Sequence, residues 1–131
     1  MESSLISQLN DEHSARVNLS PNLQYILDIR KRYEIQKNKE VISLNLTNRR
    51  IEKEERQSWA LDIENKRRAS LNLETFSSFK AMEDFNDAKE TKDNERDSEI
   101  DVDNDYLLKE GMQIISDYTI FNQKIYLSKA A

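Results

Sequence analysis

Apolar side chains along this chain recur at helical spacing, in segments separated by short polar breaks. Over about residues 3–18, Leu5, Leu9 and Arg16 follow one helical line, and Ile6, His13 and Val17 follow its neighbour. The segment closes at Asn18, Leu19, Ser20 and Pro21. Ser20 suits the N-cap of a second helix and Pro21 its first position. Over residues 21–37, Leu23, Ile26, Leu27, Arg30 and Tyr33 make one stripe, while Asp28, Lys31 and Glu34 face away from it. Two helices with so short a link predict an antiparallel helical hairpin.

Asn38, Lys39 and Glu40 break the pattern, and Val41, Ile42, Ser43 and Leu44 follow as an apolar, β-prone run. With Asn45 they predict one short β segment near 41–45. A lone strand leaves its backbone groups unpaired, so this one requires a partner edge. That edge belongs to the chain itself, to a larger polypeptide or to a second copy. Asn45 or Thr47 is the expected cap of a long charged helix over about 46–68. Its apolar content is thin: Leu46, Ile51, Trp59, Ala60 and Ile63. Ion pairs at i,i+4 stabilise such a helix by only about 0.2–0.5 kcal/mol each. It is therefore expected to lie across a partner surface, with Trp59 as the anchor.

Residues 69–104 change in character. Between Glu83 and Asp105 there are 11 acidic residues and 3 basic ones, a composition that rarely packs. The expectation is an extended, acidic, variable linker. Acids from Asp101 to Asp105 then cap a last helix over about 105–122, and a short apolar tail runs from Ile120 to Leu127. The predicted fold class is mainly α, with a helical core over 1–68, the linker over 69–104, and a C-terminal helix and tail over 105–131.

Composition limits the core this chain can build. It has 131 residues, of which 34% are charged and 37% hydrophobic, below the average for globular domains. One Gly and one Pro fit long helices and not an all-β fold. No cysteine is present, so there is no disulfide framework. No window approaches the apolar length of a membrane span. The N-terminus lacks the basic and apolar regions of a signal peptide. Residues 1–80 carry 14 basic and 12 acidic residues, and residues 81–131 carry 6 and 13. So acidic a C-terminal part argues against nucleic acid as a partner.

The search for reactive groups finds no catalytic constellation. Asp101, Asp103 and Asp105 begin like a calcium loop, but Tyr106 and Met112 stand where the loop needs Gly and a bidentate Glu. His13 is the sole histidine and lacks companions for a zinc site. It reads as a polar residue on the interface of the first helix. Ser43, His13 and an Asp compose a triad only on paper, without the glycines of a nucleophile elbow. Gly111 is the sole glycine, which excludes phosphate-binding loops. No cofactor and no metal is expected. Lys66, Arg67 and Arg68, with Arg49, Arg50 and Arg56 upstream, offer a phosphate or an acidic partner a basic cluster. The favoured reading is a helix C-terminus where cations suit the dipole. Glu64 and Asn65 alternatively make polar contacts to another domain.

Five patterns in order carry a family resemblance. They are Leu5, Ile6 and Leu9; then His13, Arg16 and Val17; then Pro21, Leu23, Tyr25 and Ile26; then Ser43, Leu44 and Asn45 with Arg49 and Glu52; and then Glu64, Asn65, Arg67 and Arg68, with Asp105 to Glu110 a further match near the end. Together they resemble the C-terminal domain of tail-specific proteases, the carboxyl-terminal processing serine peptidases of Gram-negative bacteria. The resemblance covers almost the whole chain and is strongest over 5–68. It implies an exported, periplasmic parent that degrades or trims proteins from their C-termini. It also implies a PDZ domain that captures the substrate tail and a Ser-Lys dyad, both upstream of this region. Ser43 and Lys66 are not that dyad, so this chain alone is expected to have no peptidase activity.

The implied partners are the protease and PDZ domains of the same polypeptide, protein substrates through the parent, and an adaptor protein. Uncovered apolar stripes also offer a route to self-association of the isolated domain. The interface candidates are Trp59, Val41, Ile42, Leu44, Asn45, Arg49, Glu64, Asn65 and Arg67. The rival reading is a stand-alone helical adaptor, which the absence of heptads weakens.

Overall fold

The computed structural model describes residues 2–39, 44–94 and 102–130. Five α-helices occur among them: α1 (Glu2–Leu19), α2 (Pro21–Lys37), α3 (Leu46–Ser70), α4 (Phe79–Asn94) and α5 (Tyr106–Ala130). Contacts divide the chain into two compact units. Unit 1 is Met1–Gln24 with Ile100–Ala131, and unit 2 is Tyr25–Glu99, so the boundary falls inside α2.

In unit 1, α1 pairs with α5. The hairpin expected of the first two helices is corrected here. Only Ser20 separates α1 from α2, and the helical hydrogen-bond ladder runs on through it. Ser20 donates its N–H to the Arg16 carbonyl at 2.9 Å, and Gln24 donates to the Ser20 carbonyl at 3.0 Å. A ladder that continues leaves no turn in which to reverse. Pro21 has no N–H to give the Val17 carbonyl. The Gln24 side chain supplies the donor instead, at 2.8 Å.

In unit 2 the antiparallel pair is α2 with α3. Tyr25 faces Arg67, Asp28 faces Lys66 and Arg32 faces Trp59, so the contacts run in opposite directions along the two helices. The start of α3 is set by Asn45, whose side-chain oxygen accepts from Thr47 N–H at 2.9 Å and Asn48 N–H at 3.3 Å. Such a cap contributes about 1 kcal/mol. Of the two expected caps, Asn45 is therefore the one used.

The β segment expected near 41–45 is not found among the described residues. Val41, Ile42 and Ser43 lie outside the described residues. Leu44 is 91% exposed, and Asn45 spends its side chain and its carbonyl on the first turn of α3. No strand occurs among the described residues.

At its other end α3 closes in a Schellman turn. Asn72 N–H donates to the Ala69 carbonyl and Leu73 N–H to the Arg68 carbonyl, with Asn72 at φ 56°. Asn is among the few side chains that tolerate that left-handed region.

The stretch read as linker contains α4. Ser78 caps it, its Oγ accepting from Ala81 N–H at 3.2 Å. Lys80 pairs with Asp84 at i,i+4, and α4 packs on α3. The region is acidic but free of Gly and Pro, and Phe79, Met82 and Phe85 recur at three-residue spacing. That apolar line is enough to dock a helix, whatever the charge on its other faces.

Both units are thinly covered. Leu23 and Met82 are the buried hydrophobic residues among those described, at 9% and 8% exposure. No described side chain falls below 2%.

Candidate functional site

The segment from Glu64 to Arg68 organises unit 2. Glu64 sits on α3 with only 8% of its surface exposed. One helical turn on, Arg67 meets it with a two-pronged contact: Nε donates to Oε2 at 2.9 Å and Nη2 to Oε1 at 2.6 Å. Planar guanidinium and planar carboxylate match in this geometry. The Arg67 guanidinium also lies 5.4 Å from the centre of the Tyr25 ring on α2. Burial first, and then the Glu64 carboxylate, raise the Tyr25 hydroxyl above its ordinary 10.0, against the opposing pull of Arg67. Tyr25 is thus held neutral beside a closed ion pair.

Asn65 does a different job. Its Nδ2 donates to the Phe76 carbonyl at 2.9 Å, and its Oδ1 accepts from Phe76 N–H at 2.7 Å. A side-chain amide can offer one donor and one acceptor side by side, as a neighbouring strand would. This clamp holds the loop between α3 and α4. Asn65→Ala removes both bonds and leaves the Phe76 backbone without them. We expect a loss of about 1–2 kcal/mol in urea unfolding followed by Trp59 fluorescence.

Arg68 closes the loop from above. Its guanidinium lies 4.3 Å from the Phe76 ring centre and 5.3 Å from that of Phe85, and the two rings are 5.3 Å apart and tilted. Its Nε also donates to the Glu74 carbonyl. Lys66 points elsewhere, 3.8 Å from Asp28 and largely exposed. The three basic residues are therefore engaged separately and do not converge on a phosphate.

Further along the α2–α3 pair, Arg32 covers the Trp59 ring at 4.4 Å. Trp59 is half-buried inside the chain's own helix pair. Beyond it, Arg49 lies on the rim of an open cleft of about 590 Å³ between the end of α2 and the start of α3.

The charged cluster of unit 1 is built on His13, Arg16, Glu110 and Asp117. The Glu110 carboxylate is buried at 8% exposure. It accepts from Arg16 Nε at 3.0 Å and Nη2 at 2.9 Å, and lies 2.9 Å from His13 Nδ1. Arg16 Nη1 donates to Asp117 at 2.7 Å. Burial pushes the Glu110 carboxyl up, but the bonds from Arg16 and His13 outweigh it and hold the group below its ordinary 4.5. The same two carboxylates raise Arg16.

Asp105 caps α5 by accepting from Leu108 N–H at 2.9 Å. Among the described residues, no group of three or more His, Cys, Asp and Glu could hold a metal ion. None of their helices is long and apolar enough to cross a membrane.

Residues far apart in sequence thus meet through the patterns that carried the resemblance: His13 and Arg16 with Glu110, and Tyr25 with Glu64 and Arg67. Residues 2–119 match the family described as the C-terminal domain of tail specific protease. The chain belongs to that family. No curated protein and no solved structure matches it.

In this tail-specific protease domain, Glu64, Asn65 and Arg67 are drawn together, with Trp59 further along the same helix. Arg49 stands apart at the cleft and Asn45 is a cap. Val41 and Ile42 lie outside the described residues. Sequence reasoning did not single out Tyr25, Phe76, Phe85, Glu110 or Asp117 as members of these clusters. Glu110 carried a signal, as the last residue of the final matching pattern. Phe76 and Phe85 belong to none of those patterns.

Proposed function

We propose that this chain is the non-catalytic supporting domain of a serine-type tail-specific protease that works in the periplasm. The parent trims or degrades proteins from their C-termini, and the domain packs on its protease core. The protease and PDZ domains of the same polypeptide are its partners, with protein substrates reached through them and an adaptor protein beside them.

One observation carries the docking role: side chains suited to an interior are left in the open. Leu107, Met112 and Ile115 of α5 are 63%, 56% and 67% exposed, against two buried hydrophobic residues among all those described. Leu108, Met112 and Ile115 stand at i, i+4 and i+7, so they share one helix face. A contiguous apolar face of this kind marks an interaction site.

Met112→Lys with Ile115→Lys tests it. In the isolated chain both residues face water, so helix content by circular dichroism and stability stay within about 0.5 kcal/mol of the parent sequence per substitution. In the full protease the pair of lysines is expected to lower the melting temperature and the cleavage of an apolar-tailed protein. A full protease indifferent to both lysines would sink the docking role. Cleavage of the same substrate by the isolated chain would sink the non-catalytic one.

A further inference from the structure

The cleft between the end of α2 and the start of α3 is basic. Arg49, Lys53 and Arg56 line it at i, i+4 and i+7, a single helical row about 10 Å long. Arg32 and Lys39 add two cations from the α2 side. Glu52 and Glu55 are the acids of the lining, and they lie on the flank of the row. Arg49, Lys53 and Arg56 are all exposed. None of the three forms a salt bridge within 4.0 Å among the described residues. Arg32 Nε is buried there without a hydrogen-bond partner. Among the described residues, then, no ion pair neutralises the row.

The same unit carries a complementary row. Glu83, Asp87 and Glu90 stand on α4 at i, i+4 and i+7, all exposed. Lys89 and Lys92 fall outside that line. Met82 and Phe85 lie off that line, and Phe85 packs at the Arg68 end of α3. No ion pair joins the acidic row to the basic one among the described residues. Arg56 lies 12 residues before Arg68, or about 18 Å along the helix. Glu90 lies only 5 residues beyond Phe85, about 7.5 Å along its own helix.

We infer that the cleft receives the acidic face of α4 from a second copy of this chain. Two rows of three charges with the same spacing can be laid side by side in register. Each copy carries one row of each sign, so two copies satisfy both in a closed, two-fold arrangement. Opposite charges held in register also select orientation against a merely sticky contact. The residues of this pairing are distinct from those of the apolar face of α5.

The test is a charge exchange, read by sedimentation velocity of the full chain. One variant carries Arg49→Glu, Lys53→Glu and Arg56→Glu; the other carries Glu83→Lys, Asp87→Lys and Glu90→Lys. The unaltered chain is expected to form dimers at low salt. Its dissociation constant should rise about tenfold or more toward 1 M salt, where charges are screened beyond about 3 Å. Each variant alone is expected to be monomeric. Mixed in equal amounts they should dimerise again, because the exchanged rows match. That rescue also shows that both variants are folded.

A chain that is monomeric at every salt concentration overturns the inference. So do variants that dimerise as well as the unaltered chain, a mixture that stays monomeric, or an association that strengthens with salt, the mark of apolar contact.

Discussion

Glu64→Ala is expected to unfold unit 2 more readily than any other single truncation on α3. The substitution removes the acceptor for two Arg67 bonds and leaves a guanidinium that is only 18% exposed without its carboxylate. Breaking one side of a buried pair is far worse than never having made it, because the remaining charge keeps its desolvation penalty. Both partners retain some contact with water, so we place the loss at about 2–4 kcal/mol, at and below the range for fully buried pairs. Trp59 is the sole tryptophan and lies in unit 2, so its fluorescence during urea unfolding isolates this unit from the other.

Glu64→Gln is the control. It keeps the volume and part of the hydrogen bonding but removes the charge that helps raise Tyr25. In that variant the Tyr25 hydroxyl should titrate at lower pH than in the unaltered chain, seen in the ultraviolet difference spectrum. An Ala variant as stable as the unaltered chain would mean that the Glu64–Arg67 contact is incidental to the fold.

What the sequence made legible follows from the range of each signal. Helix existence was readable because capping and 3.6-residue periodicity act over a few residues. Ser20, Pro21 and Asn45 marked boundaries that the structure keeps. Which helices pair was not readable, because it depends on whether the chain turns between them. Pro21 looks like the start of a new helix, and it is one. The ladder nevertheless runs through Ser20, and the Gln24 side chain repairs the bond that Pro21 omits. No pattern of apolar residues announces that repair.

The failure at α4 has a different cause. Net charge argued for an extended linker, and it is a property of the whole stretch. Docking needs only one face, and Met82 and Phe85 supply it. The clusters were legible in part for a similar reason. Glu64, Asn65, Arg67 and Arg68 stood out as a block, but their partners are Tyr25 and Phe76, on other segments of the chain. A block can be read locally, whereas its partners appear only once the helices are placed.

The buried carboxylate of unit 1 gives the second large effect, and it depends on pH. Folding holds Glu110 below its ordinary 4.5, so the unfolded chain binds a proton there more readily than the folded one. Stability therefore rises with pH through this window. The contribution of Glu110 is complete above about pH 4.5, the ordinary value, and is lost as pH falls through the lower folded value. Asp117 shares Arg16 and His13 contacts the same carboxylate, so the four side chains form one hydrogen-bonded network.

Glu110→Gln leaves a neutral side chain against Arg16, which is only 26% exposed. The expected loss at neutral pH is about 2–4 kcal/mol, read as faster amide exchange across α1 and α5. Below the folded value of Glu110 the unaltered chain has lost the same charge, so the two exchange profiles should converge. Profiles that stay parallel on both sides of the folded value of Glu110 would show that it does not hold α1 to α5. A loss confined to α5 would assign the carboxylate to its own helix and not to the pairing.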